Sequence, residues 1–297
     1  MYIKATWRDH LFNTFNVLLL LAFTLICAYP LWYIGINSIS SSQTVAEGVF
    51  LFPRELSFDS YRKLAQIPAI GNSVLISTAR TLAGTLLSVF CSAFLGYLIT
   101  NRDLPFRKFI YRFFIITMYF NAGFIPYYLL MKNLGLKNNF LLYVIPGAVS
   151  AFFLILVKTY IESLPASLEE AAKIDGAGIV LIFTKVILPL CLPILACCAV
   201  FSAVGQWNSW ADNMFLVSDK RLQTLQFLLY QYLQSNMAEA MRSQTGAAGA
   251  SVAASIKTTP QVLRLTFTFV TIIPILCVYP FMQKYFVKGI MMGAVKG

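Results

Sequence analysis

The chain has 297 residues, of which 58% are hydrophobic and only 12% charged, with a formal net charge of +11 and a mean hydropathy of +0.71. Soluble domains carry about 25% charged residues, so this composition excludes an ordinary water-soluble fold and reads as an all-α integral membrane protein. The single histidine, His10, removes histidine-based metal sites and Ser-His catalysis. No Gly-x-x-x-x-Gly-Lys-Ser/Thr phosphate loop occurs, so the chain lacks the usual means of holding ATP and does not read as an enzyme.

A bilayer-spanning helix needs about 20 mostly apolar residues, and roughly six such runs follow one another. The first, 15–36, carries the run Leu18 to Leu21 and closes on Pro30, Trp32 and Tyr33. A cleavable signal peptide is the competing reading, but its apolar core would be about 7–15 residues, so this run is expected to stay attached. Residues 37–69 are a polar connection. The second span, 70–100, carries Asn72, Ser73, Thr78, Arg80 and Thr81 near its start. Arg80 either snorkels to the headgroups or faces a polar cavity.

A basic link, 101–108, holds Arg102, Arg107 and Lys108 and leads into the third span, 109–131, where Asn121, Gly123 and Pro126 predict a bend. The fourth span, 140–160, is interrupted by Pro146 and Gly147. The fifth, 194–217, is oily to Val204 and then polar and aromatic through Gln206, Trp207, Asn208, Trp210, Asp212 and Asn213. An interfacial belt explains the tryptophans but not the amides. Residues 218–261 form the longest polar connection, with a helix expected over 222–233 and a mobile Ala/Gly/Ser-rich part over 246–255. The sixth span is 262–281. The six cysteines fall in or beside apolar spans without a Cys-x-x-Cys pair and read as small buried hydrophobes. The positive charge is spread over loops, which suits anionic lipid and not nucleic acid.

Between the fourth and fifth spans, 165–193 is polar and helix-coded. Ser167 followed by Glu170 has the spacing of a capping box, which would start a helix near Leu168. Glu169 and Glu170 suit the positive end of the helix dipole, Ala171 and Ala172 continue the helix, and Gly176 can take the left-handed conformation that ends it. About two turns of helix are too short to be stable alone. Its small Ala-Ala face either is gripped by another protein or is a plain surface helix. With six spans the termini and this loop share a side, and the positive charge of 101–112 and of the tail places that side in the cytoplasm.

Glu170-Ala171-Ala172, Gly176, Val186 and Leu188-Pro189 stand at the spacing of the EAA loop, and the chain resembles the permease subunits of binding-protein-dependent ABC importers. Val186 in place of isoleucine is the one departure. Asp175, Phe183, Lys185 and Pro193 extend the likeness to the carbohydrate branch, and residues 120–128 with the tail 285–297 resemble permeases for uronates and other complex oligosaccharides.

The resemblance implies one permease domain over 1–297, with six spans and a cytoplasmic coupling helix, in the bacterial inner membrane. It also implies a second homologous permease chain, two ATP-binding subunits that hold ATP and magnesium, an extracytoplasmic solute-binding protein and an oligosaccharide substrate. Ser167, Glu169, Glu170, Ala171, Ala172, Asp175, Gly176 and Pro189 would form the ATPase-coupling loop, with 288–297 a further contact. Arg80, Asn121, Tyr127, Gln206, Trp207 and Asn208 are the candidates for a sugar path, against the alternative that they pack helices or sit at the interface. A secondary carrier or channel is the rival from another class, but no internal repeat and few buried ionisable residues support it.

Overall fold

The computed structural model describes residues 7–49, 51–245 and 260–294, with side chains described for 7–49, 51–235 and 261–280. The backbone is helical, and among the described residues the β structure is limited to the isolated bridge Ser40–Leu56. The chain divides into two compact units, Met1–Ile67 with Gln231–Ile273 and Pro68–Tyr230 with Pro274–Gly297.

The first unit is led by α1 (Trp7–Ser38), which runs on through Pro30. Thr14 and Thr24 return their hydroxyls to the carbonyls of His10 and Leu20, which hides these polar groups along an apolar helix. Two short helices, α2 (Ser42–Glu47) and α3 (Asp59–Ala65), follow. Buried Asn37 donates to the carbonyls of Tyr33 at 2.8 Å and Val49 at 3.2 Å, tying the end of α1 to the connection beyond it.

The second unit is built on α4 (Pro68–Thr100). Its buried residues include Ser73, Ser77, Gly84, Ser88, Ser92 and Gly96. That near-fourfold spacing lays a stripe of small side chains along one face, which lets neighbouring backbones come close. A Cβ on Gly96 would lie 3.3 Å from the Leu154 carbonyl oxygen. The opposite face carries exposed Leu75, Leu82, Leu86 and Phe90.

Next come α5 (Arg107–Tyr119) and α6 (Phe124–Asn133), which meet at 119° across the expected bend. Gly123 at φ +81° supplies a conformation that only glycine adopts without strain. A 3-10 turn (Phe140–Tyr143) precedes α7 (Ala151–Glu162), so the interruption at Pro146 and Gly147 falls between the two. Then follow α8 (Ser167–Ile174), α9 (Ile179–Ile182), a π turn (Phe183–Ile187), α10 (Leu188–Leu190), α11 (Leu192–Asn208) and α12 (Ala211–Leu216).

A 3-10 turn at Lys220–Leu222 precedes α13 (Leu225–Thr245), so the helix expected over 222–233 begins later and runs further. The segment 246–255 lies outside the described residues. The last helix is α14 (Pro260–Ala294), longer than the expected sixth span.

Among the described residues, three helices are long and apolar enough to cross a membrane, and up to 6 spans result if each bent pair is one. The cysteines divide: Cys191 and Cys198 are buried, whereas Cys27 and Cys277 are exposed, contrary to the expectation that all are interior. In a bilayer an exposed thiol on an apolar helix is compatible with acyl chains, because cysteine behaves as a small hydrophobe.

Candidate functional site

Helix α8 begins earlier than its sequence suggests. Ala166 occupies the N-cap with helical angles, φ −60° and ψ −28°, and no side chain caps the helix. The amide N–H of Leu168 already bonds the Pro165 carbonyl at 3.2 Å. Pro165, whose ring presets a helical φ, opens the turn and draws Ser167 inside it, so the expected capping box does not form. Glu169 instead pairs with Lys173 at 3.1 Å, and the same ammonium lies 3.9 Å from Asp103 on the 101–106 link.

The other end follows expectation in detail. Gly176 has φ +81°, its N–H bonds the Lys173 carbonyl at 3.0 Å, and the Ala177 N–H bonds the Ala172 carbonyl at 3.0 Å. These two bonds make a Schellman motif, and both alanines pack on the apolar core of the unit, as that motif prefers. Ala172 thus faces inward, while Ser167, Glu170, Ala171, Asp175 and Gly176 are exposed and Ile174 is 86% exposed. The helix leaves α7 at 81°. A cleft of about 390 Å³ separates it from the 100–107 link, lined by Arg102, Asp103, Arg107, Glu169, Glu170 and Lys173.

Pro189 explains the next irregularity. A proline within a helix has no N–H to donate and its ring presses on the carbonyl a turn earlier. The chain opens the ladder there: the Leu188 N–H reaches the Phe183 carbonyl five residues back, the bond of a π turn. A second bend of 81° falls between α10 and α11, near Pro193. Phe183 is 2% exposed. Its ring stacks on Tyr97 at 5.6 Å and meets Phe94 edge-on at 5.2 Å, which fastens the loop to α4.

A second polar group lies elsewhere in the same unit. Arg80, 4% exposed, sits on the buried face of α4. Its Nη1 donates to Asp212 Oδ1 at 3.1 Å, its Nη2 to Asp212 Oδ2, its Nε to Gln206 Oε1 at 2.8 Å, and Nη1 also to the Ser209 carbonyl at 3.3 Å. The guanidinium lies 4.6 Å from the centre of the Tyr143 ring. Tyr143 in turn donates to the Leu222 carbonyl at 2.7 Å. Arg80 is thus held in an interior ion pair that ties α4 to the α11–α12 junction, and it borders a hollow lined by Ser88, Ser202, Gln206 and Ser209.

Of the other path candidates, Gln206 joins this cluster. Trp207, its neighbour, is 9% exposed on a different side, in an apolar hollow formed with Val74, Leu82 and Val204. Asn208 is exposed. Asn121 accepts from the Gly123 N–H at 2.9 Å and shapes the bend between α5 and α6. Tyr127 lines a hollow of about 470 Å³ together with Asn121 and Pro126. The six candidates thus do not form one site: Arg80 and Gln206 are in contact, Asn121 and Tyr127 share a hollow, Tyr127 also lies within charge range of Arg80 and Asp212, and Trp207 and Asn208 lie apart from these.

Sequence reasoning missed two charged residues. Asp212 stood out only as one member of an amide-rich cluster, although it is an acid near a span end with an arginine inside another span. Lys158, in the apolar run of α7, is 8% exposed, pairs with Glu162 at 2.7 Å and lies 4.4 Å from the centre of the Tyr111 ring. Among the described residues no three of His, Cys, Asp and Glu converge as metal ligands.

The position of Gln206 can be tested from the opposite helix. A Cβ on Gly84 would lie 2.6 Å from Gln206 Nε2 and 2.8 Å from Cδ. Gly84→Ala should push the amide off Arg80 and cost about 1–2 kcal/mol, in the range of mild overpacking. The same substitution in a Gln206→Ala background should cost little in thermal unfolding. An equal cost in both backgrounds would show that the amide is not the group displaced.

The sequence matches the family model described as binding-protein-dependent transport system inner membrane component over residues 4–292. The chain belongs to this family. The permease is 35% identical over 292 residues to the polygalacturonan/rhamnogalacturonan transport system permease protein YtcP of Bacillus subtilis (strain 168), covering 98% of this chain and 100% of that one. It is 32% identical to protein LplC of the same organism, over 98% of this chain and 97% of that one. Among solved structures it resembles a chain of a bacterial ABC transporter involved in the import of the acidic polysaccharide alginate, with a TM-score of 0.84 and 31% identity, covering 96% of this permease and 100% of that chain.

Proposed function

We propose that the permease is one membrane half of an ATP-driven, binding-protein-dependent importer of oligosaccharides, complex or acidic ones included, and that α8 is its coupling helix. The observation that carries this reading is the form of the 165–193 loop. It presents a short helix, closed by the Gly176 motif, with Glu170, Ala171 and Ile174 exposed. It is set off by an 81° bend on each side. Ile174, at 86% the most exposed of the loop's large apolar side chains, forms with small Ala171 a knob suited to an apolar groove, with Glu170 placed to meet a basic residue at its rim.

The groove belongs, on this reading, to one of two ATP-binding subunits, which hold ATP and magnesium. A second homologous permease chain completes the translocation path, and a solute-binding protein delivers the sugar from outside. Residues 1–297 act as one permease domain of six spans in the bacterial cytoplasmic membrane, with the termini and the 165–193 loop in the cytoplasm. Closure of the ATPase pair pushes α8, and the loop carries the motion to α4 as a body because Phe183 fastens the two. The names of the relatives, which concern polygalacturonan, rhamnogalacturonan and alginate, support the sugar class.

The test is co-purification in detergent from the native membrane, comparing wild type with a Glu170→Lys, Gly176→Pro double substitution. Wild type should bring down an ATPase and a second multi-span chain, and the variant should lose the ATPase while keeping the second permease. An ATPase retained in full by the variant would reject α8 as the coupling element, and a wild-type chain that purifies alone would return the secondary carrier to first place.

A further inference from the structure

Charge balance decides what the hollow beside Gln206 can read. The hollow is about 280 Å³ and is lined by Gln206, Ser88 and Ser202, with the rings of Phe153 and Phe201. Small-molecule sites begin near about 300 Å³, so this one suits a single sugar ring. Arg80 also borders it, yet its guanidinium makes four hydrogen bonds to Gln206, Ser209 and Asp212. With Asp212 it forms a neutral pair whose side chains are 5% and 14% exposed. No net charge is left to attract a carboxylate.

The same pair orients the amide. An N–H donor faces an oxygen, so the bond from Arg80 Nε fixes Gln206 Oε1 inward and turns the NH2 group the other way. That group sits beside two glycines, where Cβ atoms on Gly84 and Gly147 would lie 2.6 and 3.3 Å from Nε2. Ser88 and Ser202, 3% and 9% exposed, line the hollow beside it. Serine hydroxyls both donate and accept, and the amide N–H donates, so a hydroxyl-rich guest is the complement of this lining. The apolar part of the lining, which includes Phe153, suits the C–H side of a pyranose.

We propose that this hollow is a subsite for the uncharged, hydroxyl-bearing face of one sugar ring, read by Gln206 Nε2 with Ser88 and Ser202, while Arg80 and Asp212 position the amide and meet no carboxylate. The proposal rests on the importer reading and narrows it: an acidic substrate is held here by its hydroxyls, and its carboxylates are recognised elsewhere.

The experiment measures binding by saturation-transfer NMR to the permease purified with its partner chains, using neutral galactotriose and acidic trigalacturonate as probes. Both should bind wild type within about threefold of each other. Gln206→Glu keeps an acceptor for Arg80 but replaces the donor, and should weaken galactotriose about tenfold. Ser202→Ala, a gentler change, should weaken it about threefold and keeps the test open should the first variant fail to assemble. Arg80→Lys should weaken both probes alike, leaving their ratio unchanged, as a positioning role requires.

A preference above tenfold for trigalacturonate in wild type, no binding of either probe, or unchanged galactotriose binding in both Gln206→Glu and Ser202→Ala would overturn the subsite. ATP-driven uptake into proteoliposomes is scored separately. Sugar binding without uptake rejects the importer reading and leaves the subsite standing, whereas uptake with unchanged binding in those variants rejects the subsite alone.

Discussion

Asp212→Ala should destabilise the permease by about 3–5 kcal/mol, the usual cost of breaking a buried ion pair from one side. The substitution strands Arg80, which is 4% exposed and held in place by Asp212. It also removes the acceptor of Ser209 Oγ and of the Asn213 N–H, so the turn that opens α12 loses its own bonds. Arg80→Ala should be comparably harmful, because it abandons Asp212 and frees the Gln206 amide.

The double substitution Arg80→Met, Asp212→Leu should be much milder than either single one, since apolar groups of similar bulk need no partner. Fluorescence-detected size exclusion after heating reads all three. A double variant as unstable as the worse single would show that the surrounding turn, and not the ion pair, carries the stability.

The second large effect is expected at Phe183. Phe183→Ala removes a ring that is 2% exposed and touches Phe90, Phe94 and Tyr97. Truncation of a buried aromatic costs about 3–5 kcal/mol, and here the loss falls on the joint between the 165–193 loop and α4. Phe183→Leu keeps most of the volume and should cost about 1–2 kcal/mol.

Because the loop would no longer move with α4, Phe183→Leu should raise the ATP hydrolysed per sugar imported by proteoliposomes of the assembled transporter. An unchanged ratio in Phe183→Leu, at an unfolding temperature lower than wild type, would assign the ring to stability alone.

What could be read from the sequence was what is local. The bend at Gly123 follows from residues that cannot continue a plain helix, and the end of α8 follows from Gly176 alone. The start of α8 was misread because two local signals compete there. Pro165 opens the turn before Ser167 can cap it.

Long-range pairing was out of reach. Arg80 and Asp212 lie 132 residues apart, and nothing in either segment names the other. The stripe of small residues from Ser73 to Gly96 was not read from the sequence, because the oily residues between its members mask it. Trp207 and Asn208 read as one motif, but adjacent helical positions lie about 100° apart around the axis, and the structure buries one and exposes the other.

The π turn at Phe183–Ile187 sets a limit on the length of this loop. Each residue in a helix contributes about 100° of rotation, and the π turn holds one residue more than an α-helical ladder would take. Deleting a single residue between Gly176 and Pro189 would close the ladder neatly and at the same time swing everything beyond Leu188 by that angle, carrying the Gln206 face of α11 away from Arg80. The interval between the glycine and the proline is therefore an angular setting: exposed side chains within it, unlike Phe183, can be exchanged, but residues cannot be added or removed without re-aiming the helix that follows.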